Sequence, residues 1–359
     1  MKTAIRVDSS IAIGSGHLMR CLTLAERMRK EKNAEVHFVS RDLEGNLHGK
    51  IVDAEFALHI LPRHPMDNNL DGYAAWLTVP QDMDAAETKA VLKDIGKVDH
   101  LVVDNYALDI SWEREMRPFV DEIFVIDDLA NRVHDCNVLL DQNYYLDKES
   151  RYVGRVPENC KLLLGPSHAL LREEFYKARK RLRTRDGSLR NILVFYGGAD
   201  LINETMKALN ALCSWRRTRP NMMIDVIVGD SNPHKEEIEA FCNSSVTKEW
   251  MNYHCQVDNM AEFMARADIA LGAGGSTTWE RCFLDLPAIV TSVAENQVKI
   301  AEDCAAAGYI TYLGRAENVT EAQIVSVLNA MTEERLAEQT AHMRDMFGDG
   351  EMDYGALFA

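Results

Sequence analysis

The sequence predicts an α/β protein made of two Rossmann-like, doubly wound halves facing across a cleft. Three observations carry that expectation. Short apolar runs of strand length alternate with amphipathic helical patterns along the chain, the pattern of mostly parallel sheets covered by helices. Glycine turns follow a strand in both halves, around Gly14 and Gly16, at Gly197-Gly198, and at Gly272-Ala273-Gly274-Gly275, where a chain leaving a strand needs residues without a Cβ. The length of 359 residues exceeds one ordinary domain and suits two of about 150–180. The expected division is an N-terminal domain over 1–165, a linker helix and basic strap over 166–189, and a C-terminal domain over 190–359.

The elements follow in order. Residues 3–8 read as the first strand, 9–16 as a loop, and 17–30 as a helix with Leu18, Cys21, Leu22, Ala25 and Met28 on one face. Strands over 36–39 and 56–61 flank a short helical segment at 46–53. Residues 62–83 read as a long surface loop, 84–95 as a helix, and 100–104 as a strand ending in Asp104-Asn105-Tyr106. A helix over 112–119 and strands over 122–126, 138–140 and 162–164 complete the first half. After a helix near 170–180 and a basic run over 177–190, read as a solvated face or interdomain strap, a second series begins. It runs strand 191–196, helix 204–215, strand 223–228, helix 234–241, a short strand near Val246, and helix 260–265. Strand 269–271 then leads through the glycine turn to a helix at 279–284 with Ser276, Thr277 and Thr278 as its capping residues. Pro287 opens another strand, 295–307 are helical, 308–313 form the last strand, Thr320 and Gln323 make a capping box, and 333–346 are helical.

Composition narrows the function classes. A net charge of −16 argues against broad contact with nucleic-acid phosphates. No apolar run reaches membrane-spanning length, and Met1-Lys2-Thr3 leads into a strand rather than a secretory signal. Eight cysteines lie scattered without a C-x-x-C pair, which reads as reduced core thiols in a cytoplasmic enzyme. Asp82-Met83-Asp84 matches a D-x-D pattern but immediately precedes a helix, so it reads as an N-cap. Nothing else has metal-ligand spacing, and no metal or cofactor is expected.

Four constellations stand at strand ends, where open α/β sheets bind ligands. Gly14-Ser15-Gly16-His17 follows the strand ending in Asp8. It places His17 at a helix start, where the dipole disfavours the imidazolium and leaves a free base for water. Arg20, one turn along, could steady a phosphate or pair with a surface acid. Asp8 and Asp104, from neighbouring strand ends, could be rival general bases, or Asp104 could fix its loop by hydrogen bonds, and Tyr106 could touch a sugar or pack in the wall. Gly197 and Gly198, followed by Asp200 and Asn203, could help hold a diphosphate. Arg172 and Glu174 open a helix beside the linker, as scaffolding or as site residues. The 267–297 stretch is the richest. Gly275, Ser276 and Thr277 lead into a helix N-terminus suited to an anion, Glu280 could take two ribose hydroxyls, and Asn296 and Gln297 lie past the next strand. Together these point to a nucleotide-sugar site.

The motifs RVDSS…IGSGHLMRCLTLA, VVDNYALD, IDDLANRVHDCNVLLDQN, GPSHALLREEF, FYGGAD and GAGGSTTWERCFLDLP…AENQ occur in register along almost the whole chain. Together they resemble the PseG family, the UDP-sugar hydrolases of pseudaminic acid biosynthesis and thereby of flagellin glycosylation. The resemblance implies a GT-B-like fold related to MurG-type glycosyltransferases, with UDP held by the C-terminal domain. It also implies metal-independent cleavage of UDP-2,4-diacetamido-2,4,6-trideoxy-β-L-altropyranose, with other pathway enzymes as partners. It places the catalytic histidine on His17, the D-x-Y tyrosine on Tyr106 and a sugar-side asparagine on Asn296, and it places a ribose-binding glutamate on Glu280. Asp285, where the family pattern leads one to expect glycine, is a departure. The alternatives are a GT-B glycosyltransferase using a related UDP-sugar and a non-catalytic nucleotide-sugar binding protein.

Overall fold

The computed structural model describes residues 1–347; the glycine-rich tail, with the end of the expected C-terminal domain, lies outside the described residues. The chain forms two compact units. Among the described residues, unit 1 holds Met1–Asn143 and Asp147–Leu170, and unit 2 holds Tyr144–Leu146 and 171–347.

Unit 1 is one parallel sheet of seven strands: β1 (Lys2–Val7), β2 (Glu35–Arg41), β3 (Ala57–Leu61), β4 (Val98–Asp104), β5 (Val120–Ile126), β6 (Val138–Asp141) and β7 (Lys161–Leu164). Their spatial order is β3-β2-β1-β4-β5-β6-β7. Unit 2 repeats the arrangement with six strands: β8 (Asn191–Phe195), β9 (Met223–Val228), β10 (Met251–Cys255), β11 (Ile269–Ala273), β12 (Ala288–Ser292) and β13 (Thr311–Arg315), in the order β10-β9-β8-β11-β12-β13. In both sheets the chain winds outward one way from the first strand and then returns to start the other way. The loops after β1 and β4, and after β8 and β11, therefore diverge and leave room for a ligand at the strands' C-terminal ends. The central strands are buried on both faces, which explains why they appear in sequence as continuous apolar runs.

Most expected elements are present, with boundaries shifted by a few residues. Four expectations need correction. Residues 62–83 are not all loop: Gly72–Leu77 is a 3-10 helix, and Leu77 and Val79 enter the core of unit 1. No strand forms at Val246; the edge strand β10 begins at Met251, and Val246 sits in an exposed turn. The helix expected from residue 84 begins at Gln81, with Pro80 at the N-cap position. Asp84 therefore caps nothing. It is fully buried and takes hydrogen bonds from Arg6 Nη2 (2.7 Å), Arg41 Nη2 (2.7 Å) and Trp112 Nε1 (3.0 Å). Burial alone would raise its pKa, but the two guanidiniums outweigh that and hold it below the usual carboxylate range. Finally, the basic run is only in part a solvated face: Lys177, Lys180, Arg181 and Arg190 are exposed, but three of its arginines hold the ends of two helices. Arg185 donates to the carbonyls of Met264 (3.0 Å), Ala267 (2.8 Å), Leu284 (2.9 Å) and Asp285 (2.9 Å). Arg183 reaches Arg266 O (2.9 Å) and the Asp268 carboxylate, and Arg179 reaches Phe283 O. These carbonyls lie at the C-terminal ends of the helices Met260–Arg266 and Thr277–Phe283, where the last turn lacks backbone partners and cations are favoured.

Candidate active site

In unit 1 the parallel register pairs Val7 with Asp104, so the chain leaving β1 and the chain leaving β4 emerge side by side. The first makes a tight loop closed by Gly14 N–H donating to Ser10 O (2.8 Å), with Gly14 at φ +80°. It then enters the helix Gly16–Lys32, which runs back along β1 and β2. Gly16 is exposed, and a Cβ there would meet nothing within 4 Å. His17 and Arg20, one turn apart, converge on Asp104, a position 87 residues from the histidine.

Asp104 is buried and saturated. Its Oδ1 lies 2.6 Å from His17 Nδ1 and takes a hydrogen bond from Arg20 Nη2 (2.6 Å), while Oδ2 takes Arg20 Nε (2.6 Å) and the Cys21 thiol (3.5 Å). Burial would raise this carboxyl's pKa, but Arg20 and His17 hold it far below the ordinary range. Nδ1 also lies 3.1 Å from Arg20 Nη2, but the ionised carboxylate is closer, and an anionic acceptor there favours the tautomer with its proton on Nδ1 and its lone pair on Nε2. Nε2 has no hydrogen-bond partner among the described residues, and the His17 side chain remains 10% exposed. Both Asp104 oxygens are therefore engaged in holding His17, Arg20 and Cys21. Arg20 pairs with internal acids, donating also to Asp128 (3.3 Å). The Tyr106 hydroxyl donates to the same Asp128, whose other oxygen takes Asn143 Nδ2 (3.1 Å). Asp8 lies outside this cluster: it is buried and accepts from Arg6 Nη1 (2.6 Å), Arg41 N (2.7 Å) and Asn105 Nδ2 (2.9 Å). Its role is to bolt the end of β1 to β2 and to the loop after β4.

Sequence reasoning missed four members of this cluster. Asp128 and Asn143 follow β5 and β6, and an acid just past a strand end, as with Asp104, is the signal that could have found Asp128. Tyr73 and Trp76 come from the 3-10 helix expected to be loop. Trp76 stacks on Tyr106 (centroids 5.4 Å apart, planes 27° apart), and both rings meet His17 edge-on, at 5.8 and 4.6 Å. The i, i+3 spacing of the two aromatics was the available signal.

In unit 2 the register pairs Phe195 with Gly272 and sets the two glycine turns side by side. Gly272 has no alternative, because a Cβ would lie 2.3 Å from Phe195 O. The Gly197-Gly198 turn is equally close to its neighbour: a Cβ on Gly229 would lie 2.4 Å from Gly198 O. The helix after the first turn is capped by the protein itself. Asp200 accepts from Glu204 N (3.0 Å) and Thr205 N (2.8 Å), and Asn203 accepts from Met206 N (3.3 Å). The second turn differs. Gly275 has φ +97°, Ser276 occupies the N-cap position, and its side chain makes no capping bond, contrary to the capping role expected of it. The N–H groups of Ser276 and Thr277 have no partner among the described residues.

Beside that turn Arg172 bridges two carboxylates, Glu174 Oε1 (2.6 Å) and Glu280 Oε1 (3.3 Å). Burial raises the pKa of Glu280, with Arg172 opposing the shift, and burial likewise raises that of Glu174. The structure thus unites three residues that the sequence placed in two separate motifs. Gln297 packs against Gly274 and accepts from Val293 N (3.0 Å). Asn296 is exposed in the 3-10 turn Glu295–Gln297, with no side-chain partner among the described residues. Among the described residues no group of three or more His, Cys, Asp or Glu is placed to hold a metal ion, and no helix is long and apolar enough to cross a membrane.

Two parallel-sheet Rossmann-like domains of this order define a GT-B-like fold, and solved structures agree. Acinetobacter baumannii MurG superposes with a TM-score of 0.62 at 12% identity, over 96% of this chain and 94% of that one. Medicago truncatula UGT71G1, complexed with UDP-glucose, superposes with a TM-score of 0.65 at 12% identity, over 99% and 97%. More particularly, residues 191–351 match the glycosyltransferase family 28 C-terminal domain. The Campylobacter jejuni UDP-2,4-diacetamido-2,4,6-trideoxy-β-L-altropyranose hydrolase is 25% identical over 86% of this chain and 98% of its own length. The Bacillus subtilis spore coat polysaccharide biosynthesis protein SpsG is 24% identical over 90% and 87%. A Methanocaldococcus jannaschii protein is 25% identical over 84% of this chain, which spans only 58% of that longer protein.

Proposed function

We propose that this protein is a nucleotide-sugar hydrolase that removes UDP from UDP-2,4-diacetamido-2,4,6-trideoxy-β-L-altropyranose by inverting attack of water at the anomeric carbon. The observation that carries the reading is the His17–Asp104–Arg20 cluster, with an oriented imidazole whose Nε2 is unpartnered. The similarity to the Campylobacter hydrolase, which spans nearly the whole of that enzyme, supports the choice of substrate.

In this reading His17 Nε2 takes a proton from water as the water oxygen bonds to the anomeric carbon. The bond from that carbon to the UDP oxygen breaks, and UDP leaves with the electron pair. The products are UDP and 2,4-diacetamido-2,4,6-trideoxy-L-altropyranose of inverted anomeric configuration. Tyr106 and Asn296 are assigned to the sugar, with Asp104, Arg20 and Asp128 acting through His17 and Tyr106. The diphosphate is assigned to the turn at Gly275, Ser276 and Thr277 with Gly197 and Gly198 beside it, where fixed N–H donors meet developing charge without reorganising. Glu280 takes the ribose hydroxyls, with Arg172 and Glu174 setting its position and Gln297 supporting the turn.

The decisive experiment supplies purified protein with this UDP-sugar alone. UDP release, with the inverted anomer first seen by NMR, is expected. His17→Asn should lower kcat at least a hundredfold, the usual worth of a general base, with UDP affinity kept. The match to the family 28 domain favours a second reading, a glycosyltransferase. UDP release only on addition of a sugar acceptor would establish that reading instead, and tight UDP binding without any turnover would point to a binding protein.

A further inference from the structure

The 3-10 helix Gly72–Leu77 divides its side chains. Leu77 goes into the core of unit 1, whereas Tyr73 and Trp76 stay half-buried and gather around Tyr106. Trp76 lies flat against Tyr106 and edge-on to His17, and Tyr73 meets both Trp76 (4.9 Å) and Tyr106 (5.0 Å) edge-on. The Trp76 indole N–H has no hydrogen-bond partner among the described residues. The result is an apolar ring surface with one free donor, beside the His17 ring. Hydroxyl-rich sugar edges gain little from such a surface. Methyl groups gain from it, and an acetamido group adds a carbonyl that the N–H can meet.

Resting on the hydrolase reading above, we propose that Trp76 is a specificity-determining residue. Its ring receives a methyl-bearing substituent of the sugar, an acetamido group or the 6-deoxy carbon, and its N–H donates to the acetamido carbonyl. Trp76 thereby selects acetamido-deoxy sugars over hydroxylated ones at the reacting centre. A methyl group seated on an apolar surface is worth roughly 10–200-fold in discrimination.

The test compares wild type, Trp76→Phe and Trp76→Ala on two substrates, the diacetamido-trideoxy UDP-sugar and UDP-glucose, which carries hydroxyls at carbons 2, 4 and 6 and no acetamido group. The ratio of kcat/KM values should fall at least tenfold in Trp76→Ala and less in Trp76→Phe, which keeps a ring; a purely structural role would lower both substrates alike. In parallel, saturation-transfer NMR with the free diacetamido sugar reads binding without turnover. Its acetamido and C6 methyl signals should be saturated by wild type and weakened in Trp76→Ala. If wild type turns over and the ratio is unchanged in Trp76→Ala, the role of Trp76 is overturned and the hydrolase reading stands. If wild type releases no UDP but the methyl signals depend on Trp76, the hydrolase reading fails and the sugar contact stands. Methyl signals equal in wild type and Trp76→Ala, or absent from both, overturn the contact whatever the turnover.

Discussion

Asp104→Asn changes one atom and puts the whole unit 1 site at issue. The carboxylate meets four donors: His17 Nδ1, two nitrogens of Arg20, and the Cys21 thiol. An amide offers one acceptor oxygen and one donor group. If the oxygen faces Arg20 Nε, the amide N–H₂ faces His17 Nδ1. The ring must then accept there, which moves its proton to Nε2, the atom proposed to take a proton from water. The N–H₂ meets Arg20 Nη2 in that arrangement and Arg20 Nε in the flipped one, so the buried cation loses one of its two bonds either way. Only the first gives the N–H₂ a strong acceptor, in the ring, so the wrong tautomer should dominate. The equivalent change in Ser-His-Asp enzymes lowers kcat by about 10⁴, and a loss between about 10² and 10⁴ is expected here. Folding should weaken by about 1–3 kcal/mol, since hydrogen bonds to a charged group are exchanged for weaker ones. The pH dependence supplies a second readout. Because Arg20 and His17 depress the folded pKa of Asp104, its contribution is complete above the unfolded value of about 3.9 and is lost as pH falls further. The variant's melting temperature should therefore decline less steeply than wild type below about pH 4. The assay is continuous UDP release, with calorimetric UDP binding as the control. A folded variant that keeps more than about a tenth of the wild-type kcat, against the loss expected for a misplaced base, would refute the orienting role.

Three further outcomes are expected. Glu280→Ala should weaken UDP binding roughly tenfold to a hundredfold, the worth of one or two charge-assisted hydrogen bonds; unchanged affinity by calorimetry removes Glu280 from the site. Asp141, buried beside Asp128 and accepting from the Tyr152 hydroxyl (3.0 Å), has its pKa pushed up to about 8. The folded state thus holds a proton that the unfolded state has lost, and stability should fall as pH rises from about 4 toward 8, by up to about 1.4 kcal/mol per pH unit. Asp141→Asn should flatten that slope and raise the melting temperature at pH 8, and an unaltered slope would show that Asp141 does not set it. Arg185→Ala should cost about 2–4 kcal/mol by leaving the Met264, Leu284 and Asp285 carbonyls without their donor, while Ala267 O keeps Arg183, and a urea midpoint within error of wild type would contradict this.

The sheets were legible in the sequence because a strand buried on both faces is an apolar run, and nearly every such run became a strand. β10 was the exception. At the sheet edge only Met251 of its five residues is buried, and Val246 drew the assignment five residues early. Strand order was not legible, and with it went the central contact of the site. His17 and Asp104 each stood out as strand-end residues, but only the adjacency of β1 and β4 turns a suspected competitor into a partner. Buried polar groups hid for a related reason. Asp84 has the local sequence of a cap, and only Arg6 and Arg41, from two other strands, show that it is internal. Trp76 lay in a stretch of Asp, Asn and Pro whose composition speaks for loop.

The arginine strap bears on how the protein can be taken apart. The family 28 match begins at residue 191, and a fragment cut there would seem to contain all of the second sheet. It would lack Arg179, Arg183 and Arg185, and the ends of two helices would be left with carbonyls facing water or nothing. Apart from Tyr144–Leu146, the compact unit begins earlier, at Leu171, where Arg172 and Glu174 also accompany Glu280. A polypeptide started at 191 should express poorly beside one started at 171, although the omitted residues contribute no strand. The strap behaves as a late-arriving clasp: residues translated before the sheet become useful only after the helices at 260–266 and 277–283 have formed, and until then that stretch of nascent chain has nothing to hold.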